Sequence, residues 1–164
     1  MRSQKIYFFV LALVILLPLL TNAQDKAIND VFTNYFAVKN DLTEDNYVSV
    51  KTHSTDLAAA IKSVPADKIS AEHQAAWKKV QVATLRMGEA KDIDTQRDYF
   101  AVLSENILLI AGSLKVNNTP VYQQYCPMKK LNWLSEVAAI KNPYYGKQML
   151  TCGQTVKTLA AAQK

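Results

Sequence analysis

The sequence predicts an all-α fold: an up-down four-helix-bundle-like domain followed by an irregular C-terminal loop segment and a final helix. Three observations carry this. Apolar residues recur at the i, i+3, i+4 spacing of a 3.6-residue helix over four successive stretches. The 164-residue chain has only four glycines and no Asn-Gly or Asp-Gly pair of the kind that turns a β-hairpin. The periodic stretches are joined by short connections, and amphipathic helices so joined bury their stripes most simply as an antiparallel bundle.

Residues 1–23 read as a secretory signal peptide. Arg2 and Lys5 make a positive start, Ile6 to Leu20 is apolar, and Thr21-Asn22-Ala23 offers small residues for a peptidase. An uncleaved anchor is the alternative, because the apolar run is only slightly shorter than the roughly 18 residues of a spanning helix. Pro18 and the small residues after it favour cleavage, and no cysteine follows the cleavage point to take a lipid. Residues 24–164 then form one domain, expected to bury on the order of two-thirds of its unfolded surface. Removing the leader takes the net charge from +5 to +3, and the only adjacent basic pairs in what remains are Lys78-Lys79 and Lys129-Lys130. That is too mild and dispersed for nucleic acid. The expected location is the periplasm or the secreted fraction, with no membrane attachment after cleavage.

The first helix gathers Ile28, Val31, Phe32, Tyr35 and Phe36 on one face behind Asp25 as cap. Thr43, followed by Glu44 and Asp45, reads as the cap and acidic first turn of a second helix with the stripe Tyr47, Val50, Leu57, Ile61 and Val64, ended by Pro65. Ser70 caps a third, carrying His73, Trp77, Val80, Ala83 and Met87. Asp92 opens a fourth, whose stripe of Ile93, Phe100, Leu103, Ile107, Ile110 and Leu114 is the strongest in the chain.

Residues 114–146 read as an irregular, site-bearing segment, holding three of the five prolines and four of the eight tyrosines. A connection this long in a compact domain is functional or carries structure of its own. Thr119–Cys126 reads as a short extended piece, Leu131–Ile140 as a short helix or turn, and Asn142-Pro143 as a turn. Gln148 to Ala162 resumes as a helix with Met149, Cys152, Val156 and Leu159 on one face.

The chemistry-bearing residues are sulfurs. Met149 and Cys152, three apart, are neighbours on a helix, while Cys126 and Met128 flank Pro127, which favours a bend. If these segments meet, two thiolates and two thioethers converge, a soft set suited to Cu(I) or Ag(I) rather than to zinc, magnesium or calcium. The competing reading is structural: an exported chain with two cysteines defaults to one disulfide, and methionine on a helix face fills cores. A Cys126–Cys152 bond would stabilise the chain by about 3 kcal/mol. Gly153 costs about 1 kcal/mol inside a helix, which points to close approach of another group there or to a later helix start. Both outcomes for the cysteines stay open on residue type alone.

The ordered set "YQQYCPM", "NWLSEVAAIKNPYYG" and "MLTCG", with "KDIDTQRDYFAVLSE" at residues 91–105, resembles the exported domain-of-unknown-function 3347 family. The similarity spans most of residues 28–157. Related domains occur alone behind signal peptides and fused to periplasmic adaptor subunits of copper and silver efflux pumps. The resemblance implies a helical periplasmic domain that handles soft metal ions. Cys126, Met128, Met149 and Cys152 fall on its motif positions, and Trp133, Asn142, Pro143, Tyr144, Tyr145 and Gly146 on the framing ones. Members often carry a histidine shortly before the "KDI" block, where this chain has Arg86 and Met87. Met87 would be a softer substitute or a core residue.

His53 and His73 have no second His or Cys at metal spacing in their own helices, so both read as core-edge or surface residues with auxiliary ligation as the alternative. No nucleophile, base and oxyanion arrangement is legible, and the expectation is a non-enzyme. The sequence therefore predicts a periplasmic Cu(I) or Ag(I) binding protein, with a soft metal ion and a periplasmic efflux adaptor as partners. A non-enzymatic interaction or scaffold module with a Cys126–Cys152 disulfide is the alternative.

Overall fold

The computed structural model of the protein describes residues 26–112 and 119–160. The leader, the Asp25 cap and Leu114 lie outside them. Four helices form the body: α1 at residues 26–43, α2 Tyr47–Ser63, α3 Gln74–Glu89 and α4 Ile93–Ala111. The predicted stripes are the buried ones, with Val31, Tyr35, Val50, Leu57, Val80, Met87, Phe100, Leu103, Ile107 and Ile110 all essentially inaccessible. None of these helices is long and apolar enough to cross a membrane.

The domain is not purely helical, however. After α4 the chain forms β1 Val121–Cys126, β2 Leu131–Ser135 and β3 Gln154–Leu159, an antiparallel sheet in the order β2-β1-β3. The all-α expectation is thereby overturned at two places. Leu131–Ile140 begins as a strand, and the expected final helix is a 3-10 turn, Gly146–Met149, followed by β3. Gly153, at φ +154°, is extended in a way that only glycine accepts readily, and Thr155, Val156 and Thr158 favour strand over helix. The β1–β2 link, residues 127–130, needs no glycine because Lys130 itself takes the left-handed conformation at φ +57° while its N–H donates to the Cys126 carbonyl at 2.8 Å.

The helix starts also differ in detail. Thr43 donates its hydroxyl to the Asn40 carbonyl in the last turn of α1, and Asp45 turns the chain at φ +57°. The cap of α2 is therefore Asn46, whose side chain accepts from the Ser49 N–H. Ser70 precedes a short 3-10 turn, Ala71–His73, that leads into α3. Asp92 caps α4 as expected, accepting from the Thr95 N–H at 2.7 Å.

Sheet and helices share one core. β2 packs on α4, and α3 packs on both α2 and α4. An aromatic chain runs through the junction: Tyr35 of α1 stacks on Phe100 of α4 at 5.4 Å, Phe100 meets Tyr144 at 5.8 Å, and Tyr144 meets the Trp133 ring edge-on at 5.9 Å. The Tyr35 hydroxyl contacts Ser104 Oγ at 2.7 Å and accepts from the Leu134 N–H at 3.1 Å. Burial pushes this phenol far above its usual range, so it stays neutral and keeps its proton to donate.

A second tie is ionic. Lys39 of α1 is fully buried, and its Nζ lies 2.8 Å from Oε2 of Glu136, just past β2, while Asn40 Nδ2 donates to Oε1 at 2.8 Å. Burial lowers the Lys39 pKa, offset in part by Glu136. Burial alone would raise the carboxyl of Glu136, but Lys39 and Asn40 together hold it below its ordinary value.

Glu136→Gln should leave the buried ammonium uncompensated and cost about 2–4 kcal/mol in urea unfolding, with Lys39→Met/Glu136→Gln recovering most of the loss. The stability that Glu136 contributes is fully present above the ordinary carboxyl value of 4.5 and is lost as pH falls through its lower folded value. A urea midpoint that moves identically with acid in wild type and in the double variant would sink this account.

Candidate metal centre

Asn142 folds the segment that carries two of the four sulfurs. Its N–H donates to the Leu150 carbonyl and its Nδ2 to the Cys152 carbonyl, both at 2.7 Å. Its own carbonyl accepts from the Gly146 N–H at 3.0 Å, and Oδ1 accepts from the Tyr144 N–H at 2.9 Å. A fully buried side chain with donor and acceptor both engaged holds residues 142–152 as a closed loop.

Arg97 fastens that loop to the helices. Its guanidinium donates to the Pro143 carbonyl at 3.1 Å and the Leu42 carbonyl at 3.3 Å, and it pairs with Asp45 and Asp94. Asp45 Oδ2 in turn accepts from the Lys147 N–H at 3.2 Å. Gly146 sits between them at φ +56°, where a Cβ would fall 1.9 Å from Asp45 Oδ1. The Gly of the Asn-Pro-Tyr-Tyr-Gly run is there because the clamp leaves no room for a side chain.

The four sulfur residues lie at one end of the sheet. Cys126 ends β1 and Met128 is in the 127–130 turn; Met149 ends the 3-10 turn, and Cys152 lies two residues before β3 begins. β1 and β3 are paired as far as Tyr125 with Gln154, and Gly153 passes so close that a Cβ there would be 3.0 Å from the Tyr125 carbonyl and 2.9 Å from Trp133 Cη2. The Cys152 N–H donates to the Met149 carbonyl at 3.0 Å. Lys129, beside Met128, reaches over the Tyr145 ring at 5.5 Å, so the hairpin turn also touches the Asn142 loop.

Their exposures differ. Cys126 is fully buried, Met149 and Cys152 are half-buried, and Met128 is 62% exposed. Both cysteines are free thiols. Burial pushes the Tyr144 phenol, whose hydroxyl donates to the Asn132 carbonyl, well above its usual range, so it keeps its proton. The Trp133 ring lies against Gly153 through Cη2, and its buried Nε1 has no hydrogen-bond partner among the described residues.

The other predicted candidates go elsewhere. Met87 is core, fully buried on α3. His53 pairs through Nδ1 with Asp41 of α1 at 2.5 Å, and His73 Nδ1 contacts Ser70 Oγ at 2.8 Å. Among the described residues no three or more His, Cys, Asp or Glu side chains gather as a metal-holding group. Sequence reading passed over Gln124, whose buried Nε2 donates to the carbonyls of Val137 and Ala138 at 3.2 and 3.1 Å and shapes the turn after β2. Its signal was present as a glutamine two residues before Cys126 in an otherwise apolar strand face, but polar residues in a supposed loop carry no such implication. Asp45 was likewise read only as part of an acidic first turn, and Arg97 only as one residue of the 91–105 block.

The fold is that of a small α+β domain, a four-helix body with a three-stranded antiparallel sheet, and the four sulfur residues lie in the segments at one end of that sheet. Residues 31–119 match the model of the family described as "Protein of unknown function (DUF3347)", and the chain belongs to that family. No curated protein and no solved structure matches it. The matched residues take in nearly all of the helical body, with the 91–105 block inside them, and stop before β1. The Cys-Pro-Met and Met-x-x-Cys-Gly segments lie beyond.

Gly153→Ala should force the Trp133 ring or the Tyr125 strand to move, costing about 1–3 kcal/mol, whereas Gly112→Ala, where nothing lies within 4 Å, should be nearly neutral. Thermal unfolding of the two variants checks this. Equal midpoints would mean that β3 does not seat against Trp133 as described.

Proposed function

We propose that this protein is a periplasmic carrier of a soft monovalent metal ion, Cu(I) or Ag(I), held by Cys126, Met128, Met149 and Cys152 for sequestration or for hand-off to an efflux adaptor. The observation that carries this reading is the gathering of two free thiols and two thioethers at one end of a sheet. Thiolates would supply charge and strength, and thioethers soft, pH-insensitive ligation with little affinity for hard cations.

The graded exposure suits a carrier. Met128, Met149 and Cys152 are reachable from solvent and would meet the ion first, while Cys126 lies beneath them as the inner ligand. An ion that must be passed on needs such an open side. The supporting shell also fits. Asn142 and Gly153 fix the Cys152 backbone, so the ligand-bearing segment is held by contacts outside the sulfurs themselves. The link to efflux adaptors rests on the resemblance of the C-terminal motif, since membership of the family carries no activity with it.

Titration of the reduced protein with Cu(I) against a competing chelator tests the proposal. Wild type should hold the ion, Met149→Leu should weaken it by about 10–100-fold, and Cys126→Ser by more. Equal affinity in all three proteins would remove the site. A Cys126–Cys152 bond in protein isolated without reductant, with Cu(I) uptake only after reduction, would replace the carrier by the scaffold reading.

A further inference from the structure

The helical body carries a second feature, far in sequence from the sulfurs and unrelated to them in chemistry. Between the end of α2, the connection through Ile69 and the first turns of α3 lies an open groove of about 750 Å³. Its lining is mainly apolar, with largely buried Ile61, Val64, Ile69 and Trp77 as the floor and exposed Leu85 at the side, and Gln74 donates its amide to the Ile69 carbonyl. Lys62 and Lys78 border it, and no carboxylate is among the lining residues. A second depression of about 410 Å³, between α3 and α4, shares Ala75 and Lys78 with it and adds Lys79, Val82 and Val102, again without an acidic residue.

We infer that this surface binds a single-chain anionic amphiphile, a fatty carboxylate, with the acyl chain in the α2–α3 groove and the head group at Lys62 and Lys78. The volume lies within the roughly 300–1,000 Å³ of small-molecule pockets. Apolar walls edged by cations alone match a ligand with an apolar tail and a negative end, and they repel the cationic counterpart. A protein partner fits less well. A standard interface needs about 800 Å² per partner, and the large apolar side chains exposed around the two depressions are Val82, Leu85 and Val102. A bilayer surface fits less well too, because Val82, Leu85 and Val102 are few for insertion and the larger apolar lining is recessed in a concave groove.

Trp77 lines the groove, whereas Trp133 is buried against Tyr144, so tryptophan emission reports on the site. Terminally brominated fatty carboxylates, kept below their micellar concentration, should quench the wild-type protein and leave Trp77→Phe unquenched. Affinity should rise about three- to fourfold per added methylene, the factor for burying that group. Lys62→Glu/Lys78→Glu should weaken binding at least tenfold with an unchanged circular dichroism spectrum, and Ala58→Phe, which fills the groove from α2, should block it. Brominated alcohols of equal length should bind the wild type more weakly than the carboxylates. No quenching, quenching that is indifferent to the lysines, quenching only with anionic phospholipid vesicles, or sedimentation showing this face covered by a second copy would each overturn the inference.

Discussion

Tyr35 is the joint on which the arrangement of helices and sheet depends. Its ring is held between helices by Phe100, and its hydroxyl is the one group that touches both Ser104 on α4 and the backbone of β2. A buried strand N–H in the middle of an apolar interface must find an acceptor or cost about 1–3 kcal/mol. The tyrosine supplies it from a helix, which fixes the height of β2 along α1. Phe100, Tyr144 and Trp133 extend the contact outward, each aromatic pair adding about 0.5–1.5 kcal/mol beyond area burial. The sheet therefore sits on the bundle by a polar anchor within a stacked aromatic column rather than by a general apolar face.

The ionic ties follow the same logic at the two margins of that column. Lys39 to Glu136 fastens the chain just beyond β2, and Arg97 with Asp45 fastens the Asn142 loop. A pair with a fully buried member, such as Lys39 with Glu136, contributes little net energy compared with apolar residues of equal size, because desolvation opposes the attraction. What they contribute is discrimination. A sheet shifted by one residue along α4 would leave Lys39 buried without its partner, so the wrong register is penalised more than the right one is favoured.

The helices were legible because each lies on a surface that dictates a period: one face buried, the other wet. Phe100, Leu103, Ile107 and Ile110 announce α4 without any knowledge of its neighbours, and the family match, residues 31–119, falls largely on the helical body. The strands were not legible for equally physical reasons. β2 buries Trp133, Leu134 and Ser135 in succession, so it shows no alternation, and every residue of β3 up to Thr158 is exposed, so it shows no apolar face. The hairpin turn uses Lys130 where a glycine would have signalled it. Gly153 carried the clearest signal against a final helix, and the close approach that it pointed to is that of the Tyr125 carbonyl and the Trp133 ring. The sulfur residues were found by type and order, and their proximity follows from a sheet that periodicity could not reveal.

That sheet changes what the sulfurs can do. On a continuous final helix, Met149 and Cys152 would share a face at fixed spacing, and Cys126 would have to reach them from a loop. In the folded protein Cys152 instead lies two residues before β3, whose first residue Gln154 pairs with Tyr125, the neighbour of Cys126 in β1, so the strand pairing brings the two segments to the same end of the sheet. The Asn142 loop sets the remaining freedom of Met149, and Arg97 ties that loop to the first turns of α4. A disturbance at the sulfur end is thus opposed by contacts that reach into the helical body through Pro143, Tyr144 and Gly146. Their chemistry is spent on holding the backbone, which is why the run Asn142 to Gly146 stands between the two sulfur pairs in the chain and between the sheet and the bundle in space.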